Sequence, residues 1–167
     1  DSLESIFKNS ALFGSAGAPF DAWCIDRKQS LDIGNGYQYQ GVLYSSYETN
    51  LLASALPQTY VDNLDNINWL LNYYRGGNDP DLTEADVQRS IWELMHQLDT
   101  TSTLTRFALS MDGYVPDAGE TLVVAVDSIR PNGTHDQTTI IETKAAKLGD
   151  RVWHDRNADG IPDAAGK

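Results

Sequence analysis

The sequence predicts an α+β domain, and three observations carry that prediction. Two segments with helical spacing, residues 60–74 and 83–95, follow one another across a short polar link. A valine-rich run, Thr121-Leu122-Val123-Val124-Ala125-Val126, is answered by Thr138-Thr139-Ile140-Ile141-Glu142-Thr143 across a Pro131-Asn132-Gly133 turn. Aromatic residues recur through extended-looking stretches between residues 20 and 47. Together they describe a β-rich part interrupted by a helical hairpin.

Taken in order, residues 1–20 mix Leu3, Ile6 and Phe7 with Gly14-Ser15-Ala16-Gly17-Ala18-Pro19, which predicts one short strand and a loop. Phe20 to Ile33 should hold a strand around Ala22-Trp23-Cys24-Ile25-Asp26. Gly34-Asn35-Gly36 is a turn, and Tyr37, Tyr39, Val42, Tyr44 and Tyr47 mark short extended pieces. Tyr60, Leu64, Ile67, Leu71 and Tyr74 share a helix face widened by Trp69 and Leu70, and Gly76-Gly77 stops that helix. Thr83 is a good N-cap for the next, with Asp86 in capping-box position. In this second helix Val87, Ile91, Leu94 and Leu98 form the buried stripe, Gln88, Trp92 and Met95 lie beside it, and Arg89, Glu93 and Gln97 lie on the far side. Residues 99–103 read as a loop, and 105–110 fit either helix or strand.

At 167 residues, with 41% hydrophobic residues and four tryptophans, the chain is long and apolar enough for a packed core. A net charge of −12 excludes nucleic acid or an anionic membrane as the main partner, since both require a basic surface. No apolar run reaches the roughly 18 residues of a membrane helix. Asp1 reads as the start of a mature or excised fragment, without a signal peptide. A single cysteine, Cys24, excludes an internal disulfide and a cysteine-based zinc cluster.

Gln88 poses a question, because a carboxamide on an inward-facing helix surface costs free energy unless something satisfies it. Read alone, Cys24 is a small buried hydrophobe. Read together, Trp23-Cys24-Ile25 and Val87-Gln88-Arg89-Ser90-Ile91-Trp92 form a pair of motifs that resembles the thioester domains of bacterial surface adhesins, the TQXA-like group. Asp26 stands where that family carries an apolar residue, and Trp23 where Tyr, Phe or Leu is commoner. The resemblance implies an intramolecular thioester between the Cys24 sulfur and the Gln88 side-chain carbonyl. It also implies a β-rich, sandwich- or barrel-like part carrying a helical hairpin insertion with the Gln88 helix. The implied function is covalent capture of a nucleophile, a lysine amine, on a host or surface protein. That is a single-use reaction rather than enzymatic turnover, performed by a monomer outside the cell, on the bacterial surface. Trp23, Trp92 and Met95 would wall the bond from water.

The tail is a second signal. Leu148-Gly149-Asp150-Arg151-Val152-Trp153-His154-Asp155 and the residues that follow resemble the opening of a B-type repeat from serine-aspartate adhesins, which divides the chain into residues 1–146 and a truncated 147–167. Asp155, Asn157 and Asp159 alternate as calcium ligands do, Gly160 permits the sharp turn, and the Ile161 carbonyl and Asp163 can complete the set. Position twelve, usually a bidentate acid, is Gly166.

Two other functions fit parts of the sequence. A noncovalent, calcium-assisted protein- or glycan-binding module would use the aromatics as a platform and leave Cys24 a free thiol. A cysteine hydrolase would need a histidine beside Cys24. His96 lies two helical turns past Gln88, roughly 12 Å along the axis, which suits a surface role better than a proton shuttle. His135 falls in a turn, and His154 abuts the calcium-like loop.

Overall fold

The computed structural model describes residues 22–29, 40–47, 52–53 and 56–146. The predicted strand and loop of residues 1–20, the Gly34-Asn35-Gly36 turn, and the whole calcium-like tail lie outside them.

The fold is α+β. Strands β1 (Ala22–Cys24) and β2 (Gln40–Ser45) come first. Helices α1 (Gln58–Val61), α2 (Leu64–Arg75), α3 (Glu84–Leu94) and α4 (Thr103–Leu109) follow, and β3 (Thr121–Ile129) and β4 (Thr139–Lys144) close the described chain. The four strands form one antiparallel sheet in the order β1-β4-β3-β2. The β-rich part was expected to be sandwich- or barrel-like. Among the described residues it is instead a single open sheet, with helices rather than a second sheet packed on one face.

β3 is central because its side chains suit burial on both sides: Val123, Val124, Ala125 and Val126 are all buried. Trp23, Val123, Ala125 and Ile140 meet the helices, while Val124, Val126 and Ile141 are buried on the opposite face. β3 and β4 pair as the sequence predicts, with Ala125 opposite Ile140, and Gly133 takes the left-handed conformation (φ 82°) in the connecting turn.

α1 and α2 run on as one bent helix, with Asp62 and Asn63 bonded back to Gln58 and Tyr60. Gly76 caps α2 and Gly77 turns left-handed behind it (φ 64°), so the predicted glycine stop is realised. Leu64, Ile67, Leu70 and Leu71 bury its apolar face. Asn68 and Asn72, one turn apart, do what leucine could not. The Val123 N–H donates to the Asn68 side-chain carbonyl at 2.7 Å, and Asn72 holds both backbone groups of Thr121. These two side chains satisfy β3 where it outruns its neighbour β2, whose pairing stops at Val124.

α3 starts as expected. Thr83 and Asp86 form a full capping box, and Val87, Ile91 and Leu94 are buried. Two details differ. The helix ends at Met95, where His96 adopts φ 55°, so Leu98 leaves the helix and is only half-buried. Glu93, assigned to the far side, is buried. Its carboxylate accepts from the Ser102 N–H at 2.7 Å and from the Thr100 and Thr105 hydroxyls, and pairs with Arg89. Burial alone would raise its pKa; those donors outweigh it and bring the group down to about 2. The reason is α4. The ambiguous segment 105–110 begins as a helix at Thr103, capped by Ser102, and folds over that side of α3.

Candidate functional site

Among the described residues β1 lies at the edge of the sheet, and there the outward N–H and C=O of one of its residues meet no strand. Trp23 pairs with Ile140 and Cys24 with Thr139, and the pairing runs on through the Ile25 N–H to the Thr138 carbonyl at 3.3 Å. The backbone of Cys24 faces away from β4, toward α3. There Gln88 meets it. The Cys24 N–H donates to Gln88 Oε1 at 3.0 Å, and Gln88 Nε2 donates to the Cys24 carbonyl at 2.8 Å. The carboxamide pairs with Cys24 as a residue of a neighbouring strand would, which answers what satisfies Gln88. Sixty-four positions separate the two residues, and the structure brings them into direct contact.

The Cys24 sulfur has a different neighbour. Its thiol donates to Gln137 Oε1 at 3.5 Å, and Gln137 Nε2 donates to the Asp26 carbonyl at 2.6 Å. Gln137 is 8% exposed and Cys24 half-buried. Burial pushes the Cys24 thiol above its ordinary value. Thr139, directly across the ladder, is buried, and its hydroxyl has no hydrogen-bond partner among the described residues.

The aromatic and methionine walls are distributed more widely than the sequence suggests. Trp23 points into the core, donates from its indole to Glu142 at 2.9 Å, and meets Tyr74 edge-on at 6.3 Å. Adjacent strand residues face opposite sides, so Trp23 and the Cys24 side chain diverge. Met95 is fully buried in the same core. Trp92, one turn after Gln88, is half-buried beneath the Arg27 guanidinium at 5.7 Å, which draws the segment after Cys24 over α3. His96 is exposed, and His135 Nδ1 lies 3.0 Å from Asp127. Asp155, Asn157, Asp159, Ile161 and Asp163 lie outside the described residues, as does His154. Among the described residues no cluster of three or more His, Cys, Asp or Glu could hold a metal.

Beside the Cys24–Asp26 segment opens a cavity of about 520 Å³ lined by Asp26, Tyr44, Tyr60, Asp127, Asp136 and Thr138, among others. Asp127 is engaged by His135 and Asp136 by Arg130. Sequence reasoning missed Gln137 entirely. No local pattern marks it, because its two contacts lie 113 and 111 positions away.

Comparison with family models, with curated proteins and with solved structures finds no match for this chain.

Proposed function

We propose that this domain forms an internal thioester between Cys24 and Gln88 and spends it on a primary amine of a partner protein. The observation that carries the reading is the seating of the Gln88 carboxamide on the Cys24 backbone. Nucleophile and acyl group belong to two residues already in contact, so the bimolecular step becomes intramolecular. In bond formation the sulfur attacks Gln88 Cδ, the Cδ–Nε2 bond breaks, and the thiol proton leaves with ammonia. The Cys24 N–H already points at Oε1, where negative charge develops, so it serves as the oxyanion donor. In capture, the partner's amine attacks the same carbon. An amide forms, the carbon–sulfur bond breaks, and the amine proton returns to Cys24.

Asp26, in the lining of the cavity beside the Cys24–Asp26 segment, suits a lysine ammonium, and the chain's net charge of −12 favours such an approach. The resemblance of the Cys24 and Gln88 motifs to adhesin thioester domains makes the partner a host or surface protein presenting a lysine, met outside the cell on a bacterial surface. Intact mass tests the reading. The purified chain should weigh one ammonia less than its sequence, and both Cys24→Ala and Gln88→Ala should restore the full mass. A full wild-type mass with a titratable thiol would sink it.

One observation favours the noncovalent binding module instead. A groove of about 620 Å³ runs over Trp69, Tyr73, Leu82, Leu104 and Phe107, with Trp69 and Tyr73 stacked at 5.0 Å. On that reading a Trp69→Ala variant loses partner binding while Cys24→Ala keeps it; the thioester reading expects covalent retention to vanish with Cys24→Ala.

A further inference from the structure

Gln88 grips the backbone of Cys24, but the sulfur itself is held by a second carboxamide. Gln137 Oε1 accepts from the thiol at 3.5 Å, and Gln137 Nε2 is tied to the Asp26 carbonyl at 2.6 Å. That tie fixes which end of the carboxamide faces the sulfur, because a backbone carbonyl can only accept. Gln137 therefore spans the segment from Cys24 to Asp26 and closes it into a ring. The side chain is 8% exposed, so it does not exchange these contacts freely for water.

We infer that Gln137 is the positioning residue for the Cys24 thiol, a role that rests on the thioester reading of Cys24 and Gln88. It directs the single S–H bond at its own oxygen and so fixes the side-chain rotamer of Cys24. The sulfur lone pairs are then free for the Gln88 carbon. It forms no bond in the reaction: the new bond is sulfur to Gln88 Cδ, and the departing group is ammonia from Gln88. An attacking atom held within a narrow range of angles reacts far faster than one free to rotate. Once the thioester has formed, Gln137 Oε1 has no S–H to accept and can receive an N–H of the arriving amine.

The experiment has two arms. In the first, the wild type and Gln137→Met, similar in volume but unable to accept, are collected as unfolded chains from inclusion bodies, with the Gln88 amide verified intact by mass, and are then folded from denaturant. Folding is followed by tryptophan fluorescence and ammonia release by mass. The two should fold at the same rate, with ammonia release at least about tenfold slower in Gln137→Met, the cost expected of a misoriented nucleophile. Equal release rates would overturn the positioning role. Ammonia loss that survives Gln88→Ala but disappears in Gln137→Met would make Gln137 the acyl donor, which also overturns it.

The second arm works whether or not a thioester forms. In a Gln88→Ala background, where the thiol stays free, alkylation by iodoacetamide is measured against pH. The midpoint should fall on replacing Gln137 by Met, which removes the acceptor that holds the neutral S–H, and rise with Gln137→Glu, whose carboxylate opposes the thiolate. Superimposable profiles would overturn the inference. A wild type that never loses ammonia, with shifted profiles in this arm, would sink the thioester reading and leave Gln137 as the residue that sets the thiol.

Discussion

Asn72 and Gln88 make the same contact on two different strands. Each projects from a helix, and each carboxamide accepts a backbone N–H and returns an N–H to the carbonyl of the same residue. The partner is Thr121 for Asn72, at 2.7 and 2.8 Å, and Cys24 for Gln88, at 3.0 and 2.8 Å. The geometry is thus a general device of this fold for closing a bare strand edge, and by itself it implies no reactivity. What separates the two is the side chain on the gripped residue. Thr121 offers a hydroxyl, a weak nucleophile at neutral pH, while Cys24 offers a thiol with Gln137 against it. On the reading proposed above, one clamp stays a clamp and the other supplies an acyl group to a thiol on the residue it grips.

The largest expected difference is covalent. A thioester between Cys24 and Gln88 closes a loop of 64 positions, which in the chain-entropy picture stabilises the fold by about 4 kcal/mol. Cys24→Ala should therefore lower the free energy of unfolding by roughly that amount, read from denaturant titration, and abolish amine labelling, while a spectrum of native shape survives. A Cys24→Ala chain as stable as the wild type would place Gln88 with Asn72, as a hydrogen-bonded clamp only.

Next comes Asn72→Ala. It strands the N–H and C=O of Thr121 and should cost about 2 kcal/mol in urea unfolding. It should leave ammonia loss and amine labelling at wild-type levels. Loss of labelling in Asn72→Ala would mean that the two clamps are coupled through the sheet.

A smaller effect concerns the anchoring of the Gln88 helix. Glu93 holds the end of α3 to Ser102 and Thr105, and its folded pKa of about 2 lies below the ordinary 4.5. A carboxylate depressed on folding contributes stability above its unfolded pKa and loses it as pH falls through the folded value. Stability should decline between about pH 4.5 and about pH 2, and Glu93→Gln should flatten that decline while costing about 1–2 kcal/mol at neutral pH. An unchanged acid limb in Glu93→Gln would remove this group from the account.

The sequence names the two residues of the clamp at Cys24 but not its backbone geometry, and it shows almost none of the clamp at Thr121. Two short motifs, on a strand and at a helix start, named Cys24 and Gln88, and the helical hairpin followed from apolar periodicity. Asn68 and Asn72 had a signal in their spacing of four on the face that carries Leu64 and Leu71, but asparagine is ordinarily read as solvent-facing. Glu93 was misplaced for the same reason: its burial depends on donors from α4, a segment whose helical state the local pattern left open. Gln137 was invisible because a side chain that acts on residues more than a hundred positions away leaves no local trace. The single open sheet of the described strands shows the same limit, since alternation reveals that a strand is buried and not what buries it.

The thiol's raised pKa adds a consequence for the covalent step. Ammonia release should accelerate with pH and reach half its maximum above the ordinary thiol value, because the thiolate attacks.

The most direct measurement is the site of amine capture. Wild-type protein is incubated with methylamine, digested, and the adduct mapped by peptide mass spectrometry. The thioester account predicts one methylamine per chain, on the side chain of Gln88, with Cys24 released as a free thiol and no labelling in Cys24→Ala. Label spread over the carboxylates, or label on Gln88 that persists in Cys24→Ala, would contradict it.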